Sequence, residues 1–212
     1  MSDPYIYIDK NSLSAELCRD IIEIFEESPT HKAKTIGGVN EKILKARQCF
    51  SSDLEAHPRW PQISNFISNE AQKALTKYIS IIDKKLYDSL GYQSFNKLIY
   101  KGFHINKYSR DVAGEYHYHT DRHTTVENHE RCITFIWYLN DVAVGGETEF
   151  RGDFAVKPEV GKLILFPSTW TYPHSSKPVI SNDKYIMVGW FLLDINQEKD
   201  NINKEKQKNI KG

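Results

Sequence analysis

The chain is poor in cysteine and has no net charge, and both absences narrow the possible functions. Its three cysteines, Cys18, Cys49 and Cys132, are odd in number and widely spaced among 212 residues. This spacing argues against a disulfide framework and against a cysteine-based zinc site. The 28 lysines and arginines balance the 28 aspartates and glutamates. Because a neutral surface provides no long-range field that gathers polyanions, we expect neither nucleic acid nor an anionic membrane as a partner.

Long apolar runs are also absent. No stretch approaches the roughly 18 apolar residues that a membrane helix needs. The opening residues lack the basic segment and apolar run of a signal peptide. We therefore expect a soluble protein of a reducing compartment, the cytoplasm. The length of 212 residues suits one compact domain with its own core.

Helical periodicity dominates the first part of the chain, residues 1–96. One helix is predicted to begin after Ser14 as N-cap and to end near Ser28, and a second to run from Pro61 and end by Gly91. Their apolar faces comprise Cys18, Ile21, Ile22 and Phe25 in the first helix, and Ile63, Phe66, Ile67, Ala71, Ala74, Tyr78 and Ile82 in the second. Residues 5–8 form a predicted short strand, and residues 30–60 a loop with one strand.

After Gly91 the pattern changes to strands rich in β-branched and aromatic residues, separated by turn residues. The predicted strands are 97–108, 131–140, 147–150, 162–167 and 184–193. Helices followed by antiparallel strands predict an α+β fold in which N-terminal helices buttress a jelly-roll core, also called a double-stranded β-helix. We assign residues 1–96 to the buttress, 97–194 to the core and 195–212 to a polar tail.

The segment 115–123 contains three of the eight histidines and suggests a metal site. A strand directs residues i and i+2 to one face, so His119 and Asp121 could hold one ion together. Two histidines and one carboxylate are the ligand set of non-haem Fe(II) oxygenases. His123 and His129 are too near in sequence to supply the second histidine from a distant strand, which leaves His174. His117 could also face the metal, although a role beside the ligands or towards substrate fits it better.

Lys184 lies ten residues after His174, at the start of an apolar strand. A lysine buried there is costly unless it is paired, and the distal carboxylate of 2-oxoglutarate would be a suitable partner. The alternative is a lysine at a strand end that points to solvent. Together with the three metal-ligand candidates, Lys184 favours the cosubstrate-binding interpretation.

Several of these motifs together resemble the prolyl 4-hydroxylase family of Fe(II)/2-oxoglutarate-dependent dioxygenases. The segment Arg131–Asn140, ending Tyr-Leu-Asn, precedes Gly-Gly-Glu-Thr-Glu-Phe at residues 145–150. Further matches are Pro158, Gly161, Phe166, His174, Pro178, Val179 and Lys184. The resemblance covers about residues 98–193. It departs from the family before His119, where the usual Gly-rich turn is missing, and this affects the register of Tyr108.

The resemblance implies a role for nine side chains. His119, Asp121 and His174 would bind Fe(II), and Lys184 would bind the C5 carboxylate of 2-oxoglutarate. The positions matched to the cosubstrate pocket are Tyr108, Tyr138 and Trp190, and those matched to the substrate side are Arg131 and Tyr116. Tyr138 and Trp190 could instead be simple barrel core. O2 would be the second cosubstrate, with ascorbate as a reductant.

The implied activity is hydroxylation of peptidyl proline, with release of succinate and CO2. The carboxylate of Asp121 favours hydroxylation, since related halogenases lack it. The sequence leaves open a hydroxylase of a free amino acid or another small molecule, and a non-catalytic jelly-roll binding module. Loops 30–60 and 109–130 are expected to face the substrate and so to determine its identity.

Overall fold

The computed structural model describes residues 3–32, 50–52, 54–82, 98–125, 127–151 and 154–196. Its elements in chain order are β1 (Tyr7–Asp9), α1 (Ala15–Glu27), β2 (Thr30–Lys32), β3 (Phe50–Ser52), α2 (Trp60–Ile81), β4 (Ile99–Tyr108), β5 (Tyr116–His119), β6 (His129–Tyr138), β7 (Thr148–Phe150), β8 (Phe154–Val156), β9 (Leu163–Pro167), β10 (His174–Ser176) and β11 (Lys184–Asp194). A short 3-10 helix, Arg110–Val112, lies between β4 and β5.

Two antiparallel sheets form the core. The major sheet has the strand order β1-β9-β6-β11-β4-β3-β2, and the minor sheet has the order β5-β10-β7-β8. Strand β11, the last in sequence, lies at the centre of the major sheet and pairs with both β4 and β6. These two facing sheets with their helical buttress confirm the predicted double-stranded β-helix.

The two faces of the major sheet have different neighbours because successive residues of a strand point to opposite sides. From β6, Ile133, Phe135 and Trp137 pack in the cluster that contains both helices. Ile136 and Tyr138 point the other way, into the layer between the sheets. The helices therefore cover one face of the sheet and leave the other for a binding site.

Helix α1 begins as predicted, because the Ser14 Oγ accepts a hydrogen bond from the Leu17 N–H at 3.1 Å. Its inner face differs slightly from the prediction, since Ile24 is fully buried while Ile22 is only partly buried. In α2 the prediction was wrong for Phe66, whose side chain is 48% exposed. Among the described residues, none of the helices is long and apolar enough to cross a membrane.

The strand predictions were right for the long strands and incomplete for the short ones. Strands β4, β6, β7, β9 and β11 lie within two residues of the predicted segments. The prediction missed β5, β8 and β10, which belong to the minor sheet. Segment 1–96 supplies β1, β2 and β3 to the major sheet in addition to its helices, and residues 33–49, 83–97 and 197–212 lie outside the described part of the chain.

Candidate metal centre

Strands β5 and β10 bring two of the predicted ligands together. His119 and His174 are cross-strand partners in the minor sheet, and their ring centroids are 4.3 Å apart. The next pair is Tyr116 with Ser176, so β5 has one more residue than β10 over this interval. This β-bulge re-aims the side chains of β5 next to the site.

The bulge determines which neighbour of His119 shares its face. Tyr116 lines the same cavity as His119, and the two rings stack with centroids 3.7 Å apart. His117 is 55% exposed, bonds to Glu115 at 3.1 Å and does not line the cavity. Simple strand alternation, which would have turned His117 inward, does not hold at this position.

Asp121 completes a compact group of potential ligands. One ligand atom from each of His119, Asp121 and His174 lies within 4.8 Å of the other two. The His119 Nε2 is 3.7 Å from Asp121 Oδ1, and the His174 Nε2 is 3.7 Å from Asp121 Oδ2. Asp121 follows the end of β5 rather than continuing the strand. The predicted juxtaposition is therefore present, although the expected alternation along one strand does not produce it.

The hydrogen bonds of the two histidines suit metal binding. The His119 Nδ1 lies 2.8 Å from the His117 carbonyl oxygen, and the His174 Nδ1 lies 3.2 Å from the Tyr172 carbonyl oxygen. A carbonyl only accepts, so each Nδ1 carries a proton, and Nε2 is the nitrogen of each ring that is left for a metal. Such an outer hydrogen bond orients the ring of a metal-binding histidine. The donor set and its orientation fit a divalent transition metal.

Asp121 is held in its charged form. It is 8% exposed, and burial raises its pKa, but the His174 and His119 rings and the Thr134 hydroxyl outweigh this effect and lower the pKa below its usual range. The Thr134 Oγ1 donates to Asp121 Oδ2 at 2.8 Å. A buried carboxylate between two imidazoles is the electrostatic environment that a cation would complete.

A cavity of about 720 Å³ connects this group to Lys184. Lys184 is 1% exposed. Its Nζ donates to the Gly146 carbonyl oxygen at 2.9 Å and to the Ser176 Oγ, and it lies 4.4 Å from the centre of the Tyr108 ring. Tyr108 is its cross-strand partner on β4. The alternative that Lys184 points to solvent is wrong.

The remaining predicted residues divide into two groups. Tyr108, Tyr116, Arg131 and Trp190 line the cavity. Within it, the Arg131 guanidinium carbon lies 3.4 Å from the centre of the Trp190 ring. Tyr138 does not belong to the lining; it is fully buried behind it, and its hydroxyl donates to the Thr148 Oγ1 at 2.6 Å. Thr148 itself lines the cavity.

Several polar residues of the site were missed by the sequence analysis. These are Asn106, Thr134, Thr148, Ser168 and Ser176. The sequence contained one signal that Thr134 faces the site. It lies two residues before Ile136 and four before Tyr138, so all three share one face of β6. Both segments predicted to face the substrate do contribute to the lining, through His31, Leu54, Glu55 and Trp60 from one and residues 116 and 119–123 from the other.

Comparison with known proteins gives one family match and one curated relative. Residues 103–192 match the family model of the 2OG-Fe(II) oxygenase superfamily. A PKHD-type hydroxylase of Synechococcus sp. (strain CC9605) is 33% identical over 93 residues, which is 39% of this chain and 39% of that protein. The chain thus matches about two fifths of the length of this relative.

Solved structures show the same fold. A viral collagen prolyl hydroxylase from Paramecium Bursaria Chlorella virus-1 has a TM-score of 0.62 at 17% identity, over 89% of this chain and 96% of that chain. A prolyl hydroxylase from Trichoplax adhaerens, in complex with a hypoxia inducible factor peptide, has a TM-score of 0.66 at 17% identity, over 90% and 84%. A prolyl-4-hydroxylase from Pseudomonas putida has a TM-score of 0.57 at 21% identity, over 88% and 92%.

The matched region contains the whole group of candidate ligands and Lys184. The superfamily uses Fe(II), with 2-oxoglutarate and O2 as cosubstrates. The His-x-Asp and distant His pattern of its iron site corresponds to His119, Asp121 and His174. Residues 103–192, which carry this triad, are therefore similar to the 2OG-Fe(II) oxygenase superfamily.

Proposed function

We propose that the protein is an Fe(II)- and 2-oxoglutarate-dependent hydroxylase whose substrate is a peptidyl proline. The observation that carries the proposal is the presence of a His-Asp-His triad and a buried lysine on the wall of one cavity. The triad offers one carboxylate and two imidazole rings to a metal, and the lysine offers a cation to an acid. A cavity of about 720 Å³ is within the usual range for small-molecule sites.

His119, Asp121 and His174 would hold the iron in this proposal. With Fe(II) bound, the chemistry supplied is the oxidation of 2-oxoglutarate by O2 to succinate and CO2, coupled to the conversion of a substrate C–H bond to C–OH. The polypeptide positions the reactants and limits water in the cavity. The burial of Asp121 and His174, at 8% and 4% exposure, is consistent with a water-poor site.

Lys184 would bind the C5 carboxylate of 2-oxoglutarate. Its Nζ lies at the side of the cavity beside the Tyr108 ring. There it donates to two neutral acceptors, the Gly146 carbonyl oxygen and the Ser176 Oγ. A charge-assisted hydrogen bond to a carboxylate is stronger than one between neutral groups. Thr148 also lines this part of the site. Tyr138 would act through Thr148, which accepts its hydrogen bond.

Arg131, Tyr116 and Trp190 would form the substrate side. Arg131 lies flat on Trp190, and its Nη1 is 3.5 Å from the Asp121 carbonyl oxygen, which places a planar donor group near the metal ligands. Such a group can bind a peptide carbonyl of the substrate. The relatives that act on prolyl residues support a peptide partner: one is named as a collagen prolyl hydroxylase, and another is bound to a peptide of hypoxia inducible factor.

The same arginine supports the second candidate, a hydroxylase of a free amino acid. A guanidinium binds a carboxylate through two parallel hydrogen bonds, and a free amino acid has an α-carboxylate where a peptide has an amide. The two candidates share the metal and cosubstrate sites and differ only in what occupies the cavity beyond them.

One experiment tests the oxygenase proposal directly. Fe(II) and then 2-oxoglutarate are added anaerobically, and the metal-to-ligand charge-transfer band of the chelate is recorded; succinate is then measured under air with ascorbate present. The wild type is expected to show both, and Asp121→Ala neither. A wild type without a band and without succinate contradicts the proposal. Stimulation of succinate release by proline-rich peptides, but not by free amino acids, supports peptidyl proline; the reverse favours the second candidate.

A further inference from the structure

The polar residues just behind Asp121 form a chain of hydrogen bonds. Thr134 on β6 is 0% exposed and Ser168, after β9, is 1% exposed. The Thr134 Oγ1 donates to Asp121 Oδ2 at 2.8 Å, and the hydroxyls of Thr134 and Ser168 are 2.8 Å apart. A buried hydroxyl without a partner is costly. Here the Ser168 hydroxyl has Thr134 as its partner, and Thr134 in turn contacts the Asp121 carboxylate.

The direction of this chain follows from its donors. A threonine hydroxyl has one hydrogen, and an ionised carboxylate has none to give. Because the Thr134 hydrogen points to Asp121, the hydrogen between the two hydroxyls must come from Ser168. The order is therefore Ser168 to Thr134 to Asp121, with every donor directed towards the carboxylate.

We infer that Thr134 and Ser168 are positioning residues that set the orientation of Asp121 towards the metal; the inference rests on the proposed iron site. A carboxylate can rotate about its Cβ–Cγ bond and exchange its two oxygens. The hydrogen bond from Thr134 to Oδ2 opposes this rotation, so that Oδ2 stays 3.7 Å from the His174 Nε2 and Oδ1 stays 3.7 Å from the His119 Nε2. This relay of hydrogen bonds, from Ser168 through Thr134 to Asp121, thus fixes one orientation of the carboxylate.

Ser168 also connects this relay to the second histidine. Its backbone N–H donates to the Cys132 carbonyl oxygen at 2.9 Å, which ties the start of loop 168–173 to β6. The other end of the loop is Tyr172 and Pro173, and the Tyr172 carbonyl accepts the hydrogen bond from the His174 Nδ1. One loop therefore braces Asp121 through Ser168 and His174 through Tyr172.

Iron affinity of three variants tests the relay. Thr134→Val keeps the shape and removes the donor, and Thr134→Ser keeps the hydroxyl. Loss of an outer partner of a metal ligand lowers metal affinity about 10- to 100-fold. We expect that loss for Thr134→Val, an intermediate loss for Ser168→Ala, and near wild-type affinity for Thr134→Ser. The measurement is the Fe(II) dissociation constant under anaerobic conditions, by competition with a chromophoric chelator.

A double variant distinguishes a relay from two separate packing effects. If Ser168 acts through Thr134, Ser168→Ala has no further effect on Fe(II) affinity in a Thr134→Val background. The thermal midpoint of each metal-free variant reports any loss of packing separately. Wild-type Fe(II) affinity in Thr134→Val, or additive losses in the double variant, overturns the inference alone. Absence of Fe(II) binding by the wild type overturns the proposed function as well.

Discussion

At the scale of single residues, the described part of the chain contains two buried lysines in different surroundings. Lys184 lines the cavity at 1% exposure. Lys162 is 5% exposed and lies outside the cavity, where it donates to the Lys157 carbonyl and forms an ion pair with Glu159 at 2.8 Å. Both bury a charge that needs polar partners. Only Lys184 is placed to meet a carboxylate of a bound cosubstrate. Substitution of each lysine therefore compares the loss of a buried lysine inside the cavity with the loss of one outside it.

Lys184→Met is expected to weaken 2-oxoglutarate binding and to spare Fe(II) binding. A hydrogen bond to a charged group contributes about 1.5 to 3 kcal/mol, which corresponds to a loss of about 10- to 100-fold in affinity. Titration of the charge-transfer band with 2-oxoglutarate measures the change. Lys162→Met should lower stability and leave the titration unchanged. Equal weakening in both variants would contradict the role of Lys184.

Site residues of types that are rare in strands could be predicted from the sequence, and site residues of common types could not. The three candidate ligands stood out because two histidines and one carboxylate form a known metal-ligand set. Lys184 stood out because a lysine is unusual in an apolar strand. All four residues do line one cavity. Thr134 and its hydroxyl partner gave no such signal, because threonine and serine are frequent in strands and turns. Their position behind Asp121 depends on the pairing of Thr134 with Phe166 across β6 and β9.

At the scale of elements, the turn before β7 holds Lys184 in place. Gly145 has a φ of 80°, and a Cβ added there would lie 2.2 Å from the Pro178 carbonyl oxygen. The following residue, Gly146, supplies the carbonyl that binds the Lys184 Nζ. A change in this turn therefore affects the position of Lys184 in the cavity.

Gly145→Ala is expected to lower the free energy of unfolding by about 2 kcal/mol or more, because it combines backbone strain with a collision against backbone. Gly102→Ala is the control: its φ is 96°, but its added Cβ meets nothing within 4 Å. That variant should lose only about 1 kcal/mol. Urea unfolding of both variants measures the difference, and equal losses would show that the close contact with Pro178 is unimportant.

Hydrogen bonds of one glutamate join α1 to the major sheet. Glu26 accepts hydrogen bonds from the Tyr185 hydroxyl at 2.6 Å and from the Lys107 Nζ at 2.9 Å. Burial raises the Glu26 pKa, but these two donors outweigh it and lower the pKa below its ordinary value of 4.5. Burial likewise raises the pKa of Tyr185, to about 12, so its hydroxyl keeps its proton at neutral pH.

The Glu26 link is expected to make stability depend on pH in the acid range. Since the folded pKa lies below the unfolded one, the link stabilises above about pH 5 and is lost as the pH falls through the folded pKa. Glu26→Gln should thus destabilise at pH 7, by less than about 1 kcal/mol because the pair is partly exposed, and should have no effect in strong acid. Urea unfolding at several pH values checks this. In a Lys107→Met background the pH dependence should shrink; an undiminished dependence contradicts the assignment.

The strands that could not be predicted from the sequence are short and belong to the minor sheet. Strands β5, β8 and β10 have three or four residues each, too few for an alternation of apolar and polar residues to be recognised. In β5 the bulge also breaks the alternation, so that Tyr116 and His119 share a face. The long strands β6 and β11 were predictable because large apolar side chains are buried on both of their faces over most of their length.

At the scale of the whole molecule, metal binding and folding should be coupled. The three ligands come from β5, the segment after it and β10, and they converge only in the folded chain. A ligand present at 100 times its dissociation constant stabilises the folded state by about 2.7 kcal/mol. For a chain of this size that corresponds to a rise of about 5 to 10 °C in the thermal midpoint.

Anaerobic thermal unfolding with and without Fe(II) measures this shift. Chelation should reverse the shift, and Asp121→Ala should abolish it while retaining cooperative unfolding. A metal-free protein whose midpoint is unchanged by saturating Fe(II) contradicts the assignment of the triad as the iron site.

The position of β11 has a consequence for the synthesis of the protein. This strand lies in the middle of the major sheet and joins β6 to β4, yet it follows every other described strand in the sequence. Until residues 184–194 emerge, the two parts of the sheet have no common neighbour, and Lys184 and Trp190 are missing from the cavity. A nascent chain that stops before Lys184 therefore exposes two unpaired strand edges, which makes it prone to aggregation and a target for chaperones. Completion of the cavity and closure of the sheet therefore both depend on the emergence of this one strand.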